Sequence, residues 1–162
     1  HISEKIGNLK KLKEFNIPCI NLVDLPKSLY TLTELEILSL IQYPDSINRI
    51  IISDSIGNLK KLKELNFSSD FMDNLPESMS NLTQLESLSF GGDRFTTFPE
   101  FICDYPNLKK LSIEETQFEH FPDSLAKLAD TLETLYLGRN VYYRNHLSRL
   151  RSLLPNTEIT IF

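Results

Sequence analysis

Apolar residues recur along this chain at a fixed set of spacings. Counted from the leucine that opens each unit, apolar side chains fall at unit positions 1, 4, 6, 11, 14, 18 and 21. Positions 4 and 6 alternate with polar neighbours, as in a β-strand, whereas positions 18 and 21 lie one helical or 3-10 turn apart. The pattern therefore predicts units of strand, turn, short helical segment and return. The opening leucines are Leu12, Leu35, Leu62, Leu85, Leu108 and Leu132.

The return half of the unit opens with an apolar residue followed by proline in four places. These pairs are Leu25-Pro26, Leu75-Pro76, Phe98-Pro99 and Phe121-Pro122. The last three pairs lie 23 residues apart. Units of about 20 to 29 residues that carry L-x-x-L-x-L bury their apolar face only against neighbouring units. The sequence therefore predicts a repeat architecture.

These residues resemble the leucine-rich-repeat family, in its 23-residue class with Leu-Pro opening the convex segment, over nearly the whole chain. The resemblance implies an α/β fold, a right-handed curved solenoid with a parallel β-sheet on the concave face and short helical or 3-10 segments on the convex face. It also implies that partners dock on the concave face. The family's asparagine ladder, at unit position 9, is replaced here by Ile20, Tyr43, Asp70, Asp93, Thr116 and Asn140. Because polar side chains remain only in the C-terminal half, we expect looser or differently bonded turns near the N-terminus.

Residues 1–162 are expected to form a single domain of about six repeats. One unit is 27 residues long instead of 23, which places a four-residue insertion within 41–51. This insertion either forms a binding loop or is a neutral length change stabilised by burial of Ile47 and Ile50. In addition, Ile56–Glu64 repeats Ile6–Glu14 residue for residue at an offset of 50, which indicates duplication of a two-repeat block.

A C-terminal cap is expected over 142–162. Leu147, Leu150 and Leu154 are spaced to share one face of a helix, and 154–162 is typical of a closing strand. Arginines on the other helix face either steer an acidic partner or are simply solvated. These arginines are Arg139, Arg144, Arg149 and Arg151.

The charge pattern narrows the choice of partner. With a net charge of −5, the chain lacks the basic face that nucleic-acid binding requires. Unit position 2 alternates in sign from one unit to the next, and this alternation predicts ion pairs between neighbouring strands that fix the stacking register. The position is occupied by Lys13, Glu36, Lys63, Glu86, Lys109 and Glu133.

Cysteine usage bears on the compartment. Cys19 and Cys103 fall in units that stack roughly 15 to 20 Å apart, whereas a disulfide needs Cα atoms within about 7 Å. Two free thiols favour the cytoplasm over a secreted or surface location. The sequence contains neither a signal peptide nor a membrane-spanning apolar run. Because the chain enters mid-repeat at His1, we expect that an upstream segment, such as a signal or a capping repeat, has been removed or left out.

Motifs of catalytic chemistry are not found. The chain has no phosphate-binding glycine loop, no His-Glu-x-x-His, no zinc-spaced cysteines and no G-x-S-x-G. Cys103 and His120 could share a unit and form a nucleophile pair. However, Cys103 adjoins the core position Ile102, and no residue that would orient the histidine is evident. We therefore expect no catalytic residue, no metal and no cofactor.

The centre of the predicted concave sheet is the candidate binding site. Unit position 5 carries small or polar side chains and one tyrosine, namely Asn16, Ser39, Asn66, Ser89, Ser112 and Tyr136. Ile37 and Ile41 flank this row and, with Tyr136, offer apolar contacts. We predict a monomeric interaction module that binds another protein through these residues. The alternatives are a substrate-recognition or sensor segment of a larger enzyme, and a structural or adhesion spacer.

Overall fold

Strands and 3-10 helices alternate along the chain in a computed structural model, which describes residues 2–18, 24–41, 50–69, 72–92, 94–138 and 143–161. The strands are β1 (Glu14–Pro18), β2 (Ile37–Ile41), β3 (Glu64–Asn66), β4 (Ser87–Gly91), β5 (Lys110–Glu114), β6 (Thr134–Gly138) and β7 (Glu158–Ile161). The 3-10 helices span Glu4–Asn8, Lys27–Thr31, Asp54–Asn58, Glu77–Asn81, Glu100–Asp104 and Asp123–Leu128. An α-helix, α1, spans Tyr143–Leu153.

The strands form one parallel sheet of seven strands in chain order, from β1 to β7. Residues at the same unit position lie side by side, so that Phe15 pairs with Leu38 and Leu38 pairs with Leu65. The same register continues to Leu88 and Leu111 on the next two strands. Because this register is constant, unit positions 4 and 6 all point to the face of the sheet that the core occupies.

Proline or serine precedes each 3-10 helix. Ser3 and Ser53 cap two of the helices, where their hydroxyls accept hydrogen bonds of 3.2 Å from the backbone N–H groups of Lys5 and Ser55. Proline suits the same position because its φ is fixed and its missing N–H leaves no hydrogen bond unmade. The N-cap prolines, all in extended conformation, are Pro26, Pro76, Pro99 and Pro122.

The hydrophobic core lies between the sheet and the 3-10 helices. Leucines of the repeat pattern, such as Leu35, Leu62 and Leu108, have no exposed surface. In the C-terminal half, aromatic rings fill the core in a connected row. The members of this row are Phe90, Phe95, Phe98, Phe118, Phe121 and Tyr143, with neighbouring ring centroids 5.5–6.4 Å apart.

The structure places α1 and β7 in the region where the sequence predicts a helix and a closing strand. Leu150 and Leu154 are buried against the core. Arg149 Nη2 lies 2.6 Å from Asp123 Oδ1, so this arginine pairs with the last 3-10 helix. The prediction for Arg139 and for the Arg144 side chain lies outside the described residues.

Two irregularities of the repeat are described only in part. Within the insertion, Ile50 is buried with 1% of its surface exposed, whereas the prediction for Ile47 lies outside the described residues. At unit position 9, Thr116 is described, and its buried hydroxyl shares a hydrogen bond with the Tyr143 hydroxyl of α1. The Thr116 side chain is therefore joined to α1 through a tyrosine. The other members of position 9 lie outside the described residues.

The duplicated segment occupies two different environments. Ile6–Glu14 contains the end of the first 3-10 helix and the first residue of β1, which pairs on one side with β2. Ile56–Glu64 contains the equivalent parts of the third 3-10 helix and of β3. This copy lies between two neighbouring strands, because β3 pairs with both β2 and β4. Consequently Leu9 is 51% exposed, whereas the equivalent Leu59 has no exposed surface.

Candidate functional site

We define the concave face as the outward-facing residues of unit positions 3, 5 and 7 on β1 to β7. Its central row lies in continuous register across the sheet. In strand order, this row contains Asn16, Ser39, Asn66, Ser89, Ser112 and Tyr136. Tyr136 is the one large hydrophobic residue of these six, and 37% of its surface is exposed. The structure therefore brings together all the central residues that the sequence indicated.

The two isoleucines predicted beside this row have different outcomes. Ile37 begins β2, pairs with Glu14 and Glu64 on the adjacent strands, and is half-buried. Ile37 thus offers a small apolar surface between two carboxylates. Ile41 ends β2, and the prediction for its side chain lies outside the described residues.

The row also contains a residue that was not among the predicted site residues. Thr160 of β7 pairs with Tyr136 and extends the central row by one strand. Strand β7 lacks the regularly spaced leucines of the other units, so the repeat pattern assigns no unit position 5 to it. The alternation of Glu158-Ile159-Thr160-Ile161 is the signal that could have found it, because two inward isoleucines place Thr160 outward.

Two depressions lie on the concave face. The first, of about 250 Å³, is at the carboxyl ends of the central strands, and the second, of about 480 Å³, is at their amino ends. The first is lined by Ser39, Leu40, Asn66, Phe67, Ser68, Ser89, Phe90, Gly91 and Glu114. The second is lined by Glu36, Ile37, Lys63, Glu64, Glu86, Ser87, Lys109, Lys110 and Glu133. The described lining of the first combines serine hydroxyls, one amide and one carboxylate with the apolar residues Leu40, Phe67 and Phe90. The second is a surface of mixed charge.

The alternating charges of unit position 2 form ion pairs at three of the five strand junctions, β1–β2, β2–β3 and β4–β5, so the sequence prediction is confirmed in part. Glu36 lies between two lysines, with Oε1 2.7 Å from Lys13 Nζ and Oε2 2.7 Å from Lys63 Nζ. Glu86 Oε2 lies 2.8 Å from Lys109 Nζ. Pairs this exposed contribute little stability individually. Their main effect is to cancel the field along this edge of the concave face.

The pKa of Glu36 is expected to be about 2 instead of its ordinary 4.5, because hydrogen bonds from Lys13 and Lys63 favour the carboxylate. A lowered folded-state pKa means that Glu36 stabilises the fold fully above pH 4.5 and that this contribution is lost as pH falls towards 2. Carboxyl NMR titration measures the pKa. Substituting both lysines by glutamine should return it towards 4.5, and a value near 4.5 in the unaltered protein would contradict the paired geometry.

The cysteine considered as a nucleophile is a buried core residue. Cys103 is 2% exposed, and Ser124 Oγ donates a hydrogen bond of 3.6 Å to its Sγ. Burial raises the pKa of the Cys103 thiol, which disfavours the thiolate that nucleophilic chemistry requires. His120 is exposed in the segment between β5 and the last 3-10 helix. Among the described residues, no group of histidine, cysteine and acidic side chains could hold a metal ion.

Comparisons with known proteins bear on the fold. No protein-family model and no curated protein matches the sequence. A leucine-rich-repeat protein from Leptospira interrogans is 23% identical, with a TM-score of 0.65, over 98% of this chain and 51% of that one. Internalin C2 from Listeria monocytogenes is 19% identical, with a TM-score of 0.64, over 84% of this chain and 56% of that one.

A third similar structure is a receptor ectodomain solved as a complex. The leucine-rich-repeat ectodomain of the receptor kinase GASSHO1/SCHENGEN3 from Arabidopsis thaliana, with CASPARIAN STRIP INTEGRITY FACTOR 2, is 19% identical and has a TM-score of 0.56. The match covers 99% of this chain and 22% of that one. The chain thus spans about half the length of the first two structures and less of the third.

Sheet topology and structural likeness lead to the same conclusion. Parallel strands in chain order, joined by 3-10 helices on one face, are also the architecture expected of stacked short repeats. Within the described ranges, no helix is long and apolar enough to cross a membrane. The α/β solenoid predicted from the sequence is confirmed, and the chain has the leucine-rich-repeat fold.

Proposed function

We propose that this chain is a protein-recognition module that binds its partner through the concave face, as a monomer and without catalysis or a cofactor. The observation that carries the proposal is the continuous central row, whose small polar side chains stand in register on neighbouring strands. Small side chains leave room for a partner to reach the sheet, and solenoids expose extended surfaces of this kind for binding. Tyr136 and Ile37 would supply apolar contacts.

Family membership is inferred from the repeat pattern together with the fold. We infer membership of the leucine-rich-repeat family, in its 23-residue class, because the unit spacing and the N-cap prolines agree with the structural likeness. The Arabidopsis thaliana ectodomain with this fold is solved in complex with another molecule, which supports a binding role for the fold. The acidic net charge of −5 favours a protein partner over a nucleic acid.

The recognition segment of a larger enzyme is a second candidate, because one structure with this fold is the ectodomain of a receptor kinase. That candidate uses the same concave face and differs only in what is attached to it. A structural spacer, by contrast, would tolerate substitutions on the concave face without a change in binding.

The test is a double substitution at the centre of the face, Ser89→Arg with Ser112→Arg. Both residues are half-exposed and point away from the core, so we expect the variant to remain folded by circular dichroism. Two long cations at the centre of an interface should weaken binding more than about tenfold. Crosslinked capture from an extract of the source organism identifies the partner, and titration calorimetry measures the affinity.

A matched control makes the same change on the opposite surface. Ser55→Arg with Ser80→Arg places two arginines on exposed positions of the 3-10 helices and should leave the affinity unchanged. Equal binding by both double variants would contradict recognition through the concave face. Loss of binding in the control alone would move the site to the convex side.

A further inference from the structure

Glu114 is a carboxylate placed in an unusually open position. It ends β5 on the concave face, where its partners on the two adjacent strands are Gly91 and Gly138. A Cβ atom at Gly91 would lie 2.4 Å from the Glu114 carbonyl oxygen, and one at Gly138 would lie 3.3 Å from Glu114 Cγ. Close approach of the β5 backbone therefore requires glycine at position 91. Because both strand partners of Glu114 are glycines, no neighbouring side chain covers the Glu114 carboxylate from either adjacent strand.

The charge of Glu114 is not neutralised in the way that the paired carboxylates of unit position 2 are. Glu36 and Glu86 each lie within 2.8 Å of a lysine. Among the residues that the structure describes, no lysine or arginine forms an ion pair with Glu114. Its hydrogen-bond donor is the Ser112 hydroxyl, at a long 3.4 Å from Oε1. The carboxylate thus retains most of its capacity to accept hydrogen bonds.

Glu114 is the one ionisable side chain that the described residues contribute to the depression of about 250 Å³. Its polar lining consists of Ser39, Asn66, Ser68 and Ser89 in addition to Glu114. Hydroxyl and amide oxygens around one carboxylate offer several acceptors for a ligand that carries one positive charge and many N–H donors. An arginine guanidinium has five such donors in a planar fork, whereas a lysine ammonium has three.

An exposed tyrosine lies on β6, the strand next to that of Glu114. Tyr136 of β6 pairs with Ser112, two residues before Glu114, and 37% of its surface is exposed. Tyr136 does not line the depression, so it offers the partner a separate apolar contact on the same face. Docking of a partner would exclude water from the depression, which strengthens the pairing of opposite charges there.

We propose that the depression ending at Glu114 receives an arginine side chain of the protein partner. The inference rests on the proposed recognition through the concave face and adds the chemistry of its anchor. The Glu114 carboxylate pairs with the guanidinium, the surrounding serine and asparagine oxygens accept the remaining N–H groups, and the flanking glycines admit the side chain to the sheet surface.

Selection of peptides from a random library displayed on phage tests this inference with a defined probe. Peptides enriched on the unaltered protein are titrated by fluorescence polarisation against Glu114→Gln and Glu14→Gln. Glu14 lies on the same face at the first strand, so both variants lose one carboxylate charge from one surface. We expect the enriched peptides to contain arginine. Compared with the unaltered protein, Glu114→Gln should bind them at least about tenfold more weakly, and Glu14→Gln should bind them with the same affinity. Citrulline in place of the peptide arginine should cause the same loss.

The other outcomes separate this inference from the proposed function. Enriched peptides that ignore Glu114→Gln but lose binding to the Ser89→Arg and Ser112→Arg variant would overturn the arginine anchor and leave recognition by the concave face intact. Equal losses in Glu114→Gln and Glu14→Gln would overturn the anchor in favour of general attraction by an acidic surface. Peptides indifferent to every one of these substitutions, or no enriched peptide at all, would overturn both proposals.

Discussion

Replacing Leu59 by alanine is expected to lower the free energy of unfolding by about 2 to 5 kcal/mol, and the same change at Leu9 by less than about 1 kcal/mol. Leu59 is fully buried between two repeats, so alanine leaves a cavity in the core. Leu9 is 51% exposed and loses less apolar contact. Chemical denaturation monitored by circular dichroism gives both free energies.

The comparison is well controlled because the two leucines lie in identical local sequences, Ile6–Glu14 and Ile56–Glu64. Intrinsic helix propensity and neighbouring side chains along the chain are therefore the same for both variants. Any difference in the free energy of unfolding must come from stacking against other repeats. Equal losses for the two variants would contradict the placement of Leu59 between two neighbours and of Leu9 on an open side.

Replacing Phe118 by alanine is expected to lower the free energy of unfolding by about 3 to 5 kcal/mol. Phe118 has no exposed surface, and its ring centroid lies 5.7 Å from that of Phe98, 6.2 Å from that of Phe121 and 6.4 Å from that of Phe90. The substitution removes the centre of the aromatic row, and the neighbouring rings cannot close the gap without leaving their own contacts.

Phe101→Ala provides the matched control for the aromatic row. Phe101 is half-buried and outside the row, and its ring contact is to Tyr105, with centroids 6.1 Å apart. We expect a loss of about 1 to 2 kcal/mol, because less apolar surface is removed from contact. If Phe101→Ala lowers the free energy of unfolding as much as Phe118→Ala does, the aromatic row is not the centre of the C-terminal core.

The periodic part of the fold could be predicted from the sequence because each unit repeats the same local rule. Leucines at fixed positions specify both the strand and the face that it buries, so the register of Leu38, Leu65 and Leu88 follows from counting. The central row of the concave face follows from the same count. The opposite-sign pairs of Glu36 also follow, since unit position 2 alternates in sign along adjacent strands.

Features that depend on departures from the repeat could not be predicted in this way. Thr160 belongs to a closing strand that lacks the leucine ladder, so only its alternation with isoleucine marks it. The hydrogen bond between Thr116 and Tyr143 joins a repeat turn to α1, which no repeat unit contains. The isolation of Glu114 depends on side-chain conformations of its neighbours, because spacing shows which strands are adjacent but not which charges pair.

Site-specific photocrosslinking tests recognition through the concave face most directly. A photoreactive p-benzoylphenylalanine replaces Ser112 at the centre of the face in one variant and Ser55 on a 3-10 helix in another. Each variant is mixed with the captured partner and irradiated, and the crosslinked product is identified by mass spectrometry. Recognition through the concave face predicts efficient crosslinking from position 112 and only background from position 55. Crosslinking from position 55 with none from position 112 would contradict it.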